Sequence, residues 1–196
     1  MKMNYTMIVV CIASVLGLAL VTGGAHEEIP GVELVTTEVT EETTVPVLEP
    51  TLEPLDIVFY DCPLDFELQQ YIKELCDIYG VDMATVLALI YVESSFRPDI
   101  VSKSNDYGLM QINSINHEWL REKYGITDFL DPYQNVFCGI AMLSEHLVRY
   151  EDETKALMAY HYGAGGAKRL WNEGVYATEY TNRILEIKEI YDNEIK

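Results

Sequence analysis

The chain is poor in positive charge. Its 196 residues carry 13 Lys and Arg against 32 Asp and Glu, a net charge of −19. Phosphate backbones and anionic bilayers are gripped by basic patches, so this balance excludes a nucleic-acid partner and electrostatic docking on an anionic membrane. No internal repeat, no phosphate-cradling glycine loop and no strand run of convincing length is present. The four cysteines, at 11, 62, 76 and 138, do not have zinc-type spacing. Cys76 and Cys138 fall on apolar helix faces and read as buried free thiols. Cys62 could pair with either in an oxidising compartment.

What is present is unevenly spread. Apolar residues make up 49 % of the chain, enough for a packed core over most of its length. Residues 1–25 look like an export signal: Lys2 is the one base, residues 7–21 are apolar, and Gly23 and Ala25 stand where a small-residue cleavage site would have them. A retained membrane anchor through residues 7–21 is the competing reading, although that stretch is short of the ~20 residues of a full span. Residues 26–55 hold eight glutamates and no Lys or Arg, with Thr and Pro between them. Such a segment buries too little surface to fold and reads as a disordered, extended linker. Residues 56–196 carry a net −12, which suits a neutral or mixed substrate such as a polysaccharide better than a polyanion.

From Asp56 onward the periodicity is helical, and the expected fold class is mainly α, one helical domain. Phe66, Tyr71, Leu75 and Ile78 are expected on the inner side of a first helix that stops at Gly80. Asp82 caps a second, the stretch from Ser114 to Gly125 gives a third, and Pro132 opens a fourth with Val136, Ile140, Leu143 and Leu147 inward. "ETKALMAYHYG" and "TEYTNRILEIKEIY" supply two more. Only "DYGLMQIN" reads as a short hairpin.

One residue breaks the apolar logic. On the second helix Val86, Leu89, Ile90 and Glu93 share a face, so an ionisable side chain continues an apolar stripe. Desolvation there favours the protonated carboxyl, the form that can give a proton to a glycosidic oxygen. The plainer alternative is a glutamate at a fraying helix end, hydrated or paired with Arg97.

The neighbours of Glu93 weigh on that choice. "ESSFRPD" is followed by "DYGLMQIN", "DPYQNV", "MAYHYGAGG" and "YTNRIL". In this order they resemble the lytic transglycosylase domain of the soluble (SLT) family, within the lysozyme-like superfamily, from about Leu64 to about Tyr191. The resemblance implies a lysozyme-like helical fold acting on peptidoglycan glycan strands outside the cytoplasm, secreted or anchored at the cell wall. Glu93 matches the family's catalytic glutamate and Ser94 the serine after it. Gly108, Leu109, Met110 and Gln111 match the segment whose glutamine and backbone line the sugar groove. Ala159, Tyr160 and Gly163 match "AYNxG", and Tyr180 matches a tyrosine aimed at the catalytic carboxyl. Neither metal nor organic cofactor is implied. Two departures stand out: His161 replaces the asparagine credited with the sugar's acetamido group, next to Tyr162, and Asn105, Asp106 and Tyr107 replace a small-residue turn.

"DYGLMQINS" is also similar to a segment of animal-type lysozymes whose aspartate is a second catalytic carboxylate. Three functions therefore stay open: a lytic transglycosylase using Glu93 alone as acid and then base, a hydrolytic muramidase using Glu93 with Asp106, and a non-catalytic peptidoglycan-binding protein. Trp119 and Trp171 are candidates for stacking on sugar faces, or for core and rim.

Overall fold

The computed structural model describes residues 59–194. The expectations for residues 1–25 and 26–55, with Cys11, lie outside them. Among the described residues six helices and one small hairpin follow in order: α1 (Phe66–Tyr79), α2 (Met83–Ser94), β1 (Asp106–Tyr107), β2 (Ile112–Asn113), α3 (His117–Tyr124), α4 (Pro132–Tyr150), α5 (Glu153–Asn172) and α6 (Glu179–Glu194). A 3-10 turn at Ser114–Asn116 leads into α3.

The helix ends follow the local chemistry. Asp65, Asp82, Asp131 and Asp152 each accept a backbone N–H in the first turn of α1, α2, α4 and α5. Gly80 closes α1 in the left-handed conformation, at φ 64°. The inner face of α1 differs from expectation. Phe66 is 50 % exposed and Ile78 57 % exposed, while Leu68, Ile72, Leu75 and Cys76 are buried. That second set recurs at i, i+4, i+7 and i+8, a continuous stripe along the whole helix. Phe66 instead stacks outside on Phe59, with ring centroids 4.2 Å apart.

Helix α2 is enclosed. Every residue from Met83 to Ile90 is buried. Its apolar surface is therefore a full cylinder rather than a stripe, and it forms the centre around which the domain packs. Each fully buried Leu or Ile there contributes about 2 kcal/mol of transfer free energy. Helix α6 packs along α2, α4 packs on α5, and α1 packs on α4.

The α2–α6 pair runs antiparallel and is pinned at both ends. At one end Tyr180 of α6 meets Glu93 of α2. At the other, Lys188 Nζ lies 3.3 Å from Asp82 Oδ2 and 2.9 Å from Glu153 Oε1. The Thr85 hydroxyl donates to the same Glu153 oxygen at 2.5 Å. Burial pulls the Lys188 ammonium down, but its bonds to Glu153 and Asp82 outweigh burial and raise it overall.

The hairpin pairs Asp106 with Asn113 and Tyr107 with Ile112. Its loop is seated on α4 by Asn135, which is fully buried. The Asn135 side chain donates to Tyr107 O at 2.7 Å and Phe129 O at 2.8 Å, and accepts from Met110 N at 2.8 Å. Gly108 is required there: a Cβ would lie 2.5 Å from Asn135 Nδ2 and 2.9 Å from Phe129 O.

Helix α5 runs past the expected stop. Gly163 (φ 67°, ψ 156°) breaks the helical path at a conformation essentially confined to glycine. The helix then resumes through "AGGAKRLWN", two further glycines included. Cys62, Cys76 and Cys138 are free thiols, the last two buried. Burial pushes both of those up to about 12.

Candidate active site

A cleft of about 520 Å³ opens where the end of α2, the hairpin and the middle of α5 meet, lined among others by Glu93, Asp106, Gln111, Tyr160, His161 and Tyr162. Each reaches it for a local reason. Glu93 sits in the last turn of the buried α2, so its backbone is fixed by the core. Gln111 is turned toward the cleft by a left-handed backbone, φ 47°, stabilised by its own amide donating to Gly108 O at 2.8 Å. Tyr160, His161 and Tyr162 occupy the turn of α5 just before the Gly163 break.

The Glu93 side chain is only 14 % exposed. Its Oε1 accepts the Tyr180 hydroxyl at 2.5 Å. Burial first, then the charge of Glu93, pushes that hydroxyl well above the usual tyrosine range, so Tyr180 remains a donor. Arg97 is turned elsewhere: its Nε donates to Ser94 O at 3.0 Å. The pairing of Glu93 with Arg97 weighed from the sequence is not formed.

Asp106 faces the same cleft but is held differently. Its Oδ2 accepts from the Ser102 hydroxyl at 2.6 Å and its Oδ1 from the Asn113 amide at 2.6 Å. Both Asp106 oxygens are thus engaged by side chains of the same hairpin region.

Several residues expected at the sugar face inward instead. Ser94 is buried and its hydroxyl donates to Ile90 O at 3.0 Å, one helical turn back. Leu109 and Met110 are core side chains, 1 % and 0 % exposed. Gly108 works through close packing against α4. Tyr160 does not bond Glu93: its hydroxyl donates to Met110 O at 2.8 Å, and burial pushes it well above the usual tyrosine range. Neither tryptophan lines the cleft. Trp119 bonds Asn116 Oδ1 at 3.3 Å, and Trp171 packs edge-on against Tyr150. Among the described residues no group of three or more His, Cys, Asp or Glu is placed to hold a metal ion.

Residues 70–184, more than half of the chain, match the model of the transglycosylase SLT domain. The chain belongs to that family. Its relatives include the transglycosylase of Enterobacteria phage PRD1, 34 % identical over 55 % of this chain and 38 % of the phage protein. Membrane-bound lytic murein transglycosylase C of Salmonella arizonae is 34 % identical over 62 % of this chain and 39 % of its own length. Membrane-bound lytic murein transglycosylase F of Desulfosudis oleivorans is 34 % identical over 61 % of this chain and 27 % of its own. This chain therefore spans well under half the length of these relatives. The SLT fold is shared with the 70 kDa soluble lytic transglycosylase of Escherichia coli, at TM-score 0.57, 18 % identity, 68 % of this chain and 25 % of that one. An inactive variant of the lytic transglycosylase Slt of Pseudomonas aeruginosa gives TM-score 0.55 at 21 % identity, over 65 % and 24 %.

Within this SLT domain two supports of the site carry no signal as isolated residues. Asn135 stands inside the "DPYQNV" motif, but nothing local says that its amide would hold a loop 25 residues away. His117 is buried, stacks on Phe129 at 3.5 Å and approaches Ile112 O at 3.2 Å, bracing β2 from below. A buried polar residue within a helix, next to a motif, is the signal that could have marked both.

Proposed function

We propose that the domain is a peptidoglycan lytic transglycosylase that cleaves the β-1,4 bond between N-acetylmuramic acid and N-acetylglucosamine. The observation that carries the reading is Glu93: a mostly desolvated carboxyl at a cleft, gripped on one oxygen by Tyr180 at 2.5 Å. Among the described residues its Oε2 accepts no hydrogen bond, which leaves that oxygen to carry the proton. Protonated Glu93 gives its proton to the glycosidic oxygen, and the C1–O bond breaks as the glucosaminyl side leaves as an alcohol. The muramyl acetamido oxygen stabilises the charge developing at C1. Ionised Glu93 then takes the proton of the C6 hydroxyl, whose oxygen bonds to C1 and closes a 1,6-anhydro ring. The proton is back on Glu93 and no water is consumed. Tyr180 steadies the carboxylate between the two steps, and Gln111 contributes the hydrogen-bonding edge of the sugar wall.

Hydrolysis with Asp106 as second carboxylate is the rival reading, favoured by its position in the same cleft. Against it, both Asp106 oxygens are already occupied by Ser102 and Asn113. Residues 1–25 would place the domain outside the cytoplasm at the wall, as a cleaved signal or an anchor, with 26–55 as a spacer. Mass spectrometry of digested wall material tests the reading. Transglycosylation yields muropeptides lighter by one water, with no reducing muramic end. Reducing ends alone would establish the hydrolase, and no cleavage by the wild-type chain would establish a binding protein.

A further inference from the structure

Two rings in succession, His161 and Tyr162, precede the Gly163 break in α5. They belong to a short aromatic stack. His161 lies nearly flat on Tyr180, centroids 3.9 Å apart at 21°, and Tyr162 meets His161 edge-on at 4.6 Å and 87°. The stack is anchored at its far end by the bond from Tyr180 to Glu93. From the resumed part of α5, Gly166 backs Tyr162: a Cβ at Gly166 would stand 3.0 Å from the Tyr162 Cβ. Tyr162 is thus braced on two sides, yet it is 40 % exposed and lines the cleft.

A second apolar side chain is left in water at the same cleft. Ile115, in the 3-10 turn that follows β2, lines it and is 81 % exposed. Leaving such side chains hydrated forgoes the free energy that burial would give. Apolar surface set within a concave site is matched by a ligand with apolar faces of its own.

We propose that Tyr162 is a saccharide-stacking residue: its ring is a platform for the carbon face of one pyranose in a β-1,4-linked glycan, and Ile115 adds an apolar contact from the hairpin side. The proposal rests on the reading of the cleft as the glycan site. A pyranose in such a chain carries its hydroxyl and acetamido groups around its equator and presents C–H bonds on its faces. The weakly positive C–H hydrogens meet the negative face of an aromatic ring, while the polar groups stay free for side chains such as Gln111. His161, stacked on Tyr180, braces the platform. The stacking role that Trp119 and Trp171 were candidates for thus falls to Tyr162, since neither tryptophan lines the cleft.

The test uses the full chain carrying Glu93→Gln, which leaves a bound glycan uncut. It is titrated calorimetrically with a soluble β-1,4-linked oligomer of N-acetylglucosamine. Adding Tyr162→Ala weakens binding about tenfold, while adding Tyr162→Phe keeps it within about threefold, because the ring rather than the hydroxyl makes the contact. Adding Ile115→Ser weakens binding by about threefold. Equal affinity with and without Tyr162→Ala, or no binding by the Glu93→Gln chain, overturns the platform. NMR of the Tyr162 ring in Glu93→Gln reads the contact with no second substitution: its ring protons shift as the oligomer is added, and unmoved resonances overturn the proposal. In the otherwise wild-type chain, Tyr162→Ala raises KM for purified wall about tenfold with kcat within about threefold. A fall in kcat with KM unmoved would overturn a binding role. A wild-type chain that binds the oligomer through Tyr162 but releases no muropeptide would refute the proposed function and leave the platform standing.

Discussion

Glu93 and Asp106 share one cleft but are built into the molecule in opposite ways. Glu93 projects from the last turn of a helix whose every residue from Met83 to Ile90 is buried, and its side chain bonds one partner at one oxygen. Asp106 projects from a two-residue strand and bonds Ser102 and Asn113, one at each oxygen. A carboxyl that must give up and retake a proton needs a rigid backbone and a free oxygen. A carboxylate that holds a hairpin together needs both oxygens engaged. The difference teaches that two acids lining one cleft are told apart by what occupies their oxygens, and under the proposed mechanism it leaves Glu93 as the one with an oxygen open for proton exchange.

Changing each side of this comparison gives effects of decreasing size. Glu93→Gln keeps the shape and removes the transferable proton, so muropeptide release falls by about 10²–10⁴-fold with an unchanged circular dichroism spectrum. Activity within twofold of wild type would remove Glu93 from the chemistry. Tyr180→Phe removes one charge-assisted bond at Oε1, a loss of about tenfold or somewhat more in kcat with little change in KM. Asp106→Asn leaves the amide oxygen to accept from Asn113 or Ser102 but not both. The expected loss in activity is under about tenfold, with anhydro product retained and stability lower by about 1 kcal/mol in chemical denaturation. A loss as large as that of Glu93→Gln would make Asp106 a second catalytic carboxylate. Lys188→Met tests the far end of the α2–α6 pair. It removes the cation shared by Glu153 and Asp82, so thermal unfolding falls by a few degrees while kcat changes little, given the partial exposure of the three groups.

How far these features were legible differs from element to element. The helix cap at Asp82, the Pro132 opening and the Gly80 stop could be read directly, because helix ends are set by short-range chemistry. The hairpin was legible as "DYGLMQIN". The inner face of α1 was misassigned, because Phe66 and Ile78 are apolar and correctly spaced but have no neighbouring element to pack on. The continuation of α5 past Gly163 is not legible, since glycines weaken a helix locally and the packing of Ala167, Leu170 and Trp171 with Met158 and Ala159 holds this one. Of the motif residues, Ser94, Leu109 and Met110 turn inward, while Asn135, inside "DPYQNV", and His117, outside the motifs, brace the hairpin.

By itself, the order of residues determined where helices start, that an acid follows an enclosed apolar helix, and that few bases are available to bind phosphate. These depend on neighbours within a few positions along the chain, or on simple totals. Only the tertiary structure decided that Tyr180 rather than Tyr160 bonds Glu93 and that His161 faces the acid. Those outcomes depend on how α2, α5, α6 and the hairpin cross, and no local rule carries the direction of a side chain across a sequence separation of 87.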